Sequence, residues 1–157
     1  MKTLSKKGKY ALRALYHLAR EQGNGPVLIA TLAQRESIPH KFLELILLHM
    51  KNNGLVESKK GRNGGYALAK EPSKITIGSV IRMIDGPLAP LPCASETAYR
   101  KCEECIDEKN CGTRIVMRRV RDAMAEILDN TTVADVCAEV DQRRKSPEEE
   151  EALMFYI

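Results

Sequence analysis

Residues 27–69 limit what this 157-residue chain can fold into more than any other segment. Ile29 to Arg35 reads as a short helix. Glu36-Ser37-Ile38-Pro39 is a tight turn, and Pro39 suits the first position of a new helix because its ring presets φ and its missing N–H is not needed there. That second helix carries Phe42, Leu43, Leu45, Ile46, Leu47 and Met50. It ends near Asn52-Asn53-Gly54, with Gly54 as the left-handed residue that closes a helix. Two alternating strands follow, Leu55 to Ser58 and Tyr66 to Ala69, joined by Lys59-Lys60-Gly61-Arg62-Asn63-Gly64-Gly65. Helix, short turn, helix is the helix-turn-helix unit, and a hairpin directly after it is a wing.

The flanks fit that centre. Ser5 predicts an N-cap, followed by Tyr10, Ala11, Ala14, Leu15, Leu18 and Ala19 at helical spacing and a stop at Gly23-Asn24-Gly25-Pro26. Val27-Leu28 is long enough only for a bridge. Ile77 to Ile84 is a further helix, stopped by Asp85-Gly86-Pro87. Thr113 to Leu128 is a long amphipathic helix with Val116, Val120, Met124 and Ile127 in a stripe and Ile115, Met117 and Leu128 beside it. Thr132-Val133-Ala134-Asp135 resembles a capping box and opens a short last helix with Val136 and Val140. The expected fold is mainly α with a small β-hairpin. Residues 1–86 form a winged helix-turn-helix domain and 87–112 a cysteine-containing loop. Residues 113–140 hold a dimerisation helix and a short terminal helix. Residues 141–157, with Pro147 and Glu148 to Glu151, form a disordered tail.

Charge narrows the partner. Up to residue 75 there are 14 Lys and Arg against 5 Asp and Glu, a net +9; from residue 76 there are 11 against 16, a net −5. A basic first half is an electrostatic footprint for a polyanion, although a solvated basic surface has the same composition. With 29% charged and 43% apolar residues the chain has a globular composition. The start lacks the apolar stretch of a secretory signal, and the longest apolar run, around Phe42 to Met50, is far short of the roughly 20 residues of a membrane span. A cytoplasmic protein with no membrane partner is expected.

The second helix of a helix-turn-helix lies in the major groove with its first residues at base edges. Here those are His40, Lys41, Phe42 and Glu44. Lys41 reaches a guanine edge or a phosphate, and Glu44 can accept from a cytosine amino group. Phe42 can touch a thymine methyl or pack into the core, and His40 reads as a surface residue. Lys59, Lys60 and Arg62 on the wing suit the DNA backbone or the minor groove. The stripe of the long helix either packs back on the first helix or pairs with its copy, and the copy is favoured because two recognition helices then combine on a palindrome in double-stranded DNA.

Four of the five cysteines stand between residues 93 and 111, as Cys93, Cys102, Cys105 and Cys111. In a reducing compartment such a cluster reads as metal ligands or redox groups rather than structural disulfides. Three readings stand. A four-cysteine zinc site favours two paired C-x2-C knuckles, and only one such pair is present. An iron–sulfur cluster tolerates irregular spacing better. A thiol switch would join Cys102 to Cys105. Cys137 is most simply a small buried residue. There is no nucleophile–base pair, phosphate loop or carboxylate pair, so the chain does not read as an enzyme.

These residues resemble a known family. Leu4-Ser5-Lys6-Lys7-Gly8-Lys9-Tyr10-Ala11 looks like the first helix of the IscR/NsrR/RirA-type winged-helix regulators. Leu32-Ala33-Gln34-Arg35, Phe42-Leu43-Glu44, Asn53-Gly54-Leu55-Val56 and Gly61-Arg62-Asn63-Gly64-Gly65-Tyr66 are similar too, and the resemblance runs over residues 1–140. It implies a homodimeric bacterial transcription regulator, often a repressor. Such a regulator senses iron–sulfur status, iron or nitric oxide through a cluster, 2Fe-2S or 4Fe-4S, in the loop before the dimerisation helix. Some members lack the cluster and sense metabolites or thiol state. The family pattern implies Cys93, Cys105 and Cys111 as ligands. Its usual fourth positions hold Arg114, where the IscR type has histidine, and Lys9, where the NsrR type has aspartate from the partner subunit. Neither is a ligand, which points to Cys102 as the fourth. A zinc-binding or thiol-switch protein-interaction module is the alternative.

Overall fold

The computed structural model describes residues 4–145. Among these residues the elements are α1 Lys6–Arg20, α2 Ile29–Arg35, α3 His40–Asn52, β1 Val56–Lys59, β2 Gly65–Leu68, α4 Ile77–Asp85, α5 Gly112–Asn130 and α6 Val133–Lys145, with single 3-10 turns at Pro72–Lys74 and Pro92–Ala94.

Ser5 caps α1 as its residue type dictates: its hydroxyl accepts from the Gly8 amide at 2.9 Å. Lys6, Lys7 and Lys9 crowd this end, where the helix dipole disfavours cations. Asp85, the last residue of α4, supplies the missing negative charge. It accepts from the Ser5 amide at 2.8 Å and from the Ser5 hydroxyl. The start of α1 and the end of α4 are thus one polar joint.

The core gathers Leu15 and Leu18 of α1, Leu32 of α2, Leu43, Ile46, Leu47 and Met50 of α3, Val56 of β1, and Val80 of α4. Val133, at the head of α6, is 0% exposed in the same core. The α6 capping box forms as expected, with Thr132 and Asp135 each accepting from the other's amide. It is α6 that lies along α1, through Arg20–Asp141 at 3.3 Å and the Cys137 thiol against the Tyr16 carbonyl at 3.7 Å.

Several boundaries differ from expectation. α4 ends one residue later than expected, at Asp85, and α5 runs from Gly112 to Asn130, beyond the expected Thr113 to Leu128 at both ends. Pro39 is the cap of α3, not its first residue, because its ψ of 128° is extended. The hairpin reaches one residue further into its loop on each side, pairing Lys59 with Gly65. α6 runs on to Lys145, past residue 140, with an Arg143–Glu139 pair at 2.5 Å and three cations suited to the negative end of the helix. The rest of the expected tail, residues 146–157, lies outside the described residues.

α5 behaves differently. Of its side chains only Arg121 is buried, and Ile115, Val116 and Ile127 are 46%, 50% and 67% exposed. It is joined to α4 by a two-pronged ion pair, Arg82 Nη1 and Nη2 to Asp129 Oδ1 and Oδ2 at 2.5 and 2.8 Å. A cavity of about 210 Å³, lined among others by Leu4, Ile81, Leu88, Val120, Met124 and Leu128, lies beside the helix. No helix among the described residues is long and apolar enough to cross a membrane.

Candidate nucleic-acid interface and cysteine site

The turn between α2 and α3 fixes the recognition helix. Ser37 takes a positive φ of 49°, Ile38 turns into the core at 3% exposure, and the Ile38 amide closes on the Ala33 carbonyl at 2.9 Å. α3 then buries Leu43, Ile46, Leu47 and Met50, a complete stripe at helical spacing. The opposite face is open: His40, Lys41 and Glu44 are exposed, as expected of base-facing residues.

Phe42 stays outside the buried core. Its ring stands edge-on to Tyr10 at 5.7 Å and 80°, and it remains 38% exposed. Two apolar residues of the open face were missed by sequence reasoning. Leu45 is 63% and Leu48 50% exposed, one and two turns along from Lys41. The signal was present: residues 43, 46, 47 and 50 already fill the buried stripe, which leaves 45 and 48 facing out.

The wing is welded at its base. Val27 and Tyr66 exchange two amide–carbonyl bonds, each 2.8 Å, so the short segment between α1 and α2 acts as an extra edge to the hairpin. Gly65 sits at the crossing with φ +147°, and a Cβ there would run into the Val27 carbonyl. At the tip the Gly64 amide closes on the Gly61 carbonyl at 3.0 Å, and Lys59, Lys60 and Arg62 are exposed.

The cysteine loop begins where Gly86 ends α4. Its one tightly buried part is the turn Pro92–Ala94 with the residue after it: Cys93, Ala94 and Ser95 are 5%, 1% and 8% exposed. Cys102, Cys105 and Cys111 are half-buried, and all five cysteines are free. Cys102 is held above the usual thiol range, first by its neighbour Cys93, then by burial and by Cys111. Burial followed by Cys111 raises Cys105, while Lys101 pulls it the other way. Cys111 is the N-cap of α5, its carbonyl taking the Ile115 amide at 3.1 Å. Thiol chemistry of this kind suits iron or zinc. Among the described residues, no three Cys, His, Asp or Glu side chains converge on a single ion position.

Two arginines of α5 hold this loop. Arg114 bonds the carbonyls of Cys93 and Glu108, and Arg121 bonds that of Ala94. Arg114 is thus engaged with backbone carbonyls, as its chemistry requires, and is not a metal ligand.

Comparison with known proteins agrees with this arrangement. The Rrf2 family model, described as an iron-dependent transcriptional regulator, matches residues 4–139. The chain belongs to the Rrf2 family. An Rrf2-like HTH-type transcriptional regulator of Rhodobacter capsulatus is 41% identical over 138 residues, 86% of this chain and 92% of the relative. The HTH-type transcriptional regulator CymR of Bacillus subtilis is 35% identical over 154 residues, 98% of this chain and 99% of the relative. The solved structure of that CymR, titled the global cysteine regulator, has a TM-score of 0.73 at 34% identity and covers 88% of this chain and 98% of its own. An IscR structure from T. potens has a TM-score of 0.70 at 29% identity, covering 88% of each chain. This Rrf2-family chain is a winged-helix transcriptional regulator and not an enzyme.

Proposed function

We propose that this Rrf2-family regulator is a repressor that binds a palindromic operator in double-stranded DNA as a homodimer, and that Cys93, Cys102, Cys105 and Cys111 hold an iron–sulfur cluster through which it senses iron, redox or nitric oxide status. The observation that carries the reading is the gathering of four free cysteines in one loop that runs into the head of α5, with Cys93 the first neighbour to act on Cys102. An all-thiolate set within one subunit needs no ligand from positions 114 or 9. Iron bound with sulfide would supply a redox-active, oxidant-labile group there. What the chain contributes is a loop that leaves α4 at Gly86 and is tied to α5 by Arg114 and Arg121.

On the DNA side, Lys41 and Glu44 face the major groove with His40 beside them, and Lys59, Lys60 and Arg62 meet the phosphates or the minor groove. Phe42 supports this face by packing on Tyr10. The exposed Ile115, Val116 and Ile127 of α5 suit a second copy of the chain, which would set the spacing of two α3 helices on the palindrome. A shift of the loop then changes that spacing and so the share of dimers able to bind.

A thiol-based sensor is the second reading. It is favoured by the influence of Cys93 on Cys102 and by the CymR relative, described as a global cysteine regulator. Purification without oxygen, with visible absorption and Mössbauer spectra of the protein and of Cys102→Ala, separates the two. A sulfur-to-iron absorption lost or altered in Cys102→Ala is expected. A colourless protein would favour the thiol sensor, a colourless zinc-containing one the zinc module, and unchanged binding in the variant would remove Cys102 from the ligand set.

A further inference from the structure

The Arg114 guanidinium makes an unusual number of bonds for a side chain at the head of a helix. Its Nε donates to the Cys93 carbonyl at 3.0 Å and its Nη1 to the Glu108 carbonyl at 3.2 Å. The same Nη1 pairs with the Glu108 carboxylate at 3.1 Å, and the cation lies over the Tyr99 ring at 5.6 Å. The Tyr99 hydroxyl donates to that same carboxylate. One planar cation therefore ties the start, middle and end of a loop that has little regular structure of its own. Lysine has no such fork; it offers a single point of charge.

Seven residues on, two turns along the same face of α5, Arg121 repeats the device on the neighbouring residue. Its Nη1 donates to the Ala94 carbonyl at 2.6 Å, and its Nη2 pairs with Glu96 at 3.2 Å. Asp122 accepts from the Arg121 Nε at 2.7 Å, and the Arg121 side chain is only 10% exposed. The two arginines thus grip adjacent carbonyls of the one buried turn of the loop, the turn that carries Cys93.

We propose that Arg114 and Arg121 are positioning residues: they fix the Cys93 turn to one face of α5, so that whatever engages the thiol of Cys93 is mechanically joined to the helix. The grip is on the backbone, so neither arginine occupies the Cys93 sulfur itself. The proposal rests on Cys93 belonging to the sensing site, but its first test needs no metal.

That test is the rate of alkylation of each cysteine in the reduced, metal-free full chain, followed by mass spectrometry with iodoacetamide as the probe. In the wild type Cys93 reacts slowest. In Arg114→Met its rate rises about tenfold, as a local opening would allow, while Cys137 and the thermal midpoint barely change. Arg118→Met, an exposed change on the same helix, leaves all rates alone. Arg114→Lys keeps the charge without the fork and leaves Cys93 exposed to reagent. An unchanged Cys93 rate in folded Arg114→Met, or wild-type protection restored by lysine, would overturn the assignment. Should Arg114→Met fail to fold, Arg114→Lys decides alone. A cobalt(II) titration of the same proteins adds a spectroscopic readout: the thiolate-to-cobalt band weakens and affinity falls about 10- to 100-fold in Arg114→Met, the usual effect of losing an orienting partner. Absence of that band in the wild type counts against the metal reading, and the alkylation rates then decide the role of the two arginines on their own.

Discussion

The winged body and the cysteine loop are held together by different forces. The body, α1 to α4 closed by α6, is organised around fully buried aliphatic side chains such as Leu15, Ile46, Leu47 and Val80. The loop from Pro87 to Cys111 buries one short turn and relies on hydrogen bonds from two arginines to backbone carbonyls. α5, between them, is half-exposed along its apolar side. A densely packed body resists deformation, whereas a loop fastened by a few polar bonds has discrete places where it can let go. The contrast suits a rigid reader of DNA joined to a responsive element.

The contrast breaks most readily at the core. Leu47→Ala, at 0% exposure, is expected to cost about 2–5 kcal/mol. Chemical denaturation would show it, and DNA affinity would fall with the folded fraction. Gly65→Ala acts at one point of the same body. Its positive φ and the nearby Val27 backbone predict a loss of about 1–3 kcal/mol and a displaced wing, seen as weaker DNA binding at low denaturant. Arg121→Met should leave the core transition nearly intact. It strips the Ala94 carbonyl of its donor, and amide exchange at Cys93 to Ser95 should speed up by the equivalent of about 1–3 kcal/mol. If that variant instead unfolds the body, the two regions are not separable.

The smallest effect lies at the joint between α4 and α5. Arg82 holds the Asp129 carboxyl below the usual carboxylate range, first by hydrogen bonding and then by its charge. A lowered folded-state value means that the stabilisation is fully present above the ordinary value near 4 and is lost as pH falls through the lowered one. The pair is substantially exposed, so its worth is about 1 kcal/mol or less. Denaturation of wild type and Asp129→Asn from pH 7 downward should show a small difference that closes in acid.

Much of the body was legible in the sequence because its signals are local. Ser5 capping, the Pro39 turn, the stripe of residues 43, 46, 47 and 50, and the glycine-rich wing each rest on a short stretch of chain. The Val27–Tyr66 weld and the Ser5–Asp85 joint join residues far apart in sequence, and no pattern announces them. Leu45 and Leu48 are readable from the same spacing, but Leu45 reads together with the core-facing residues of α3 and Leu48 is not singled out. In the loop, spacing marked the cysteines, yet the roles of Arg114 and Arg121 depend on which carbonyls come within reach, which only the folded chain decides.

The most direct test of the account couples the loop to DNA in one sample. Protein purified without oxygen is titrated onto a duplex from its own promoter, with visible absorption recorded alongside, before and after removal of iron by a chelator. A sulfur-to-iron absorption is expected in the first state, with operator affinities that differ between the two states by about fivefold or more. A colourless protein, or equal affinity in both states, would contradict that expectation.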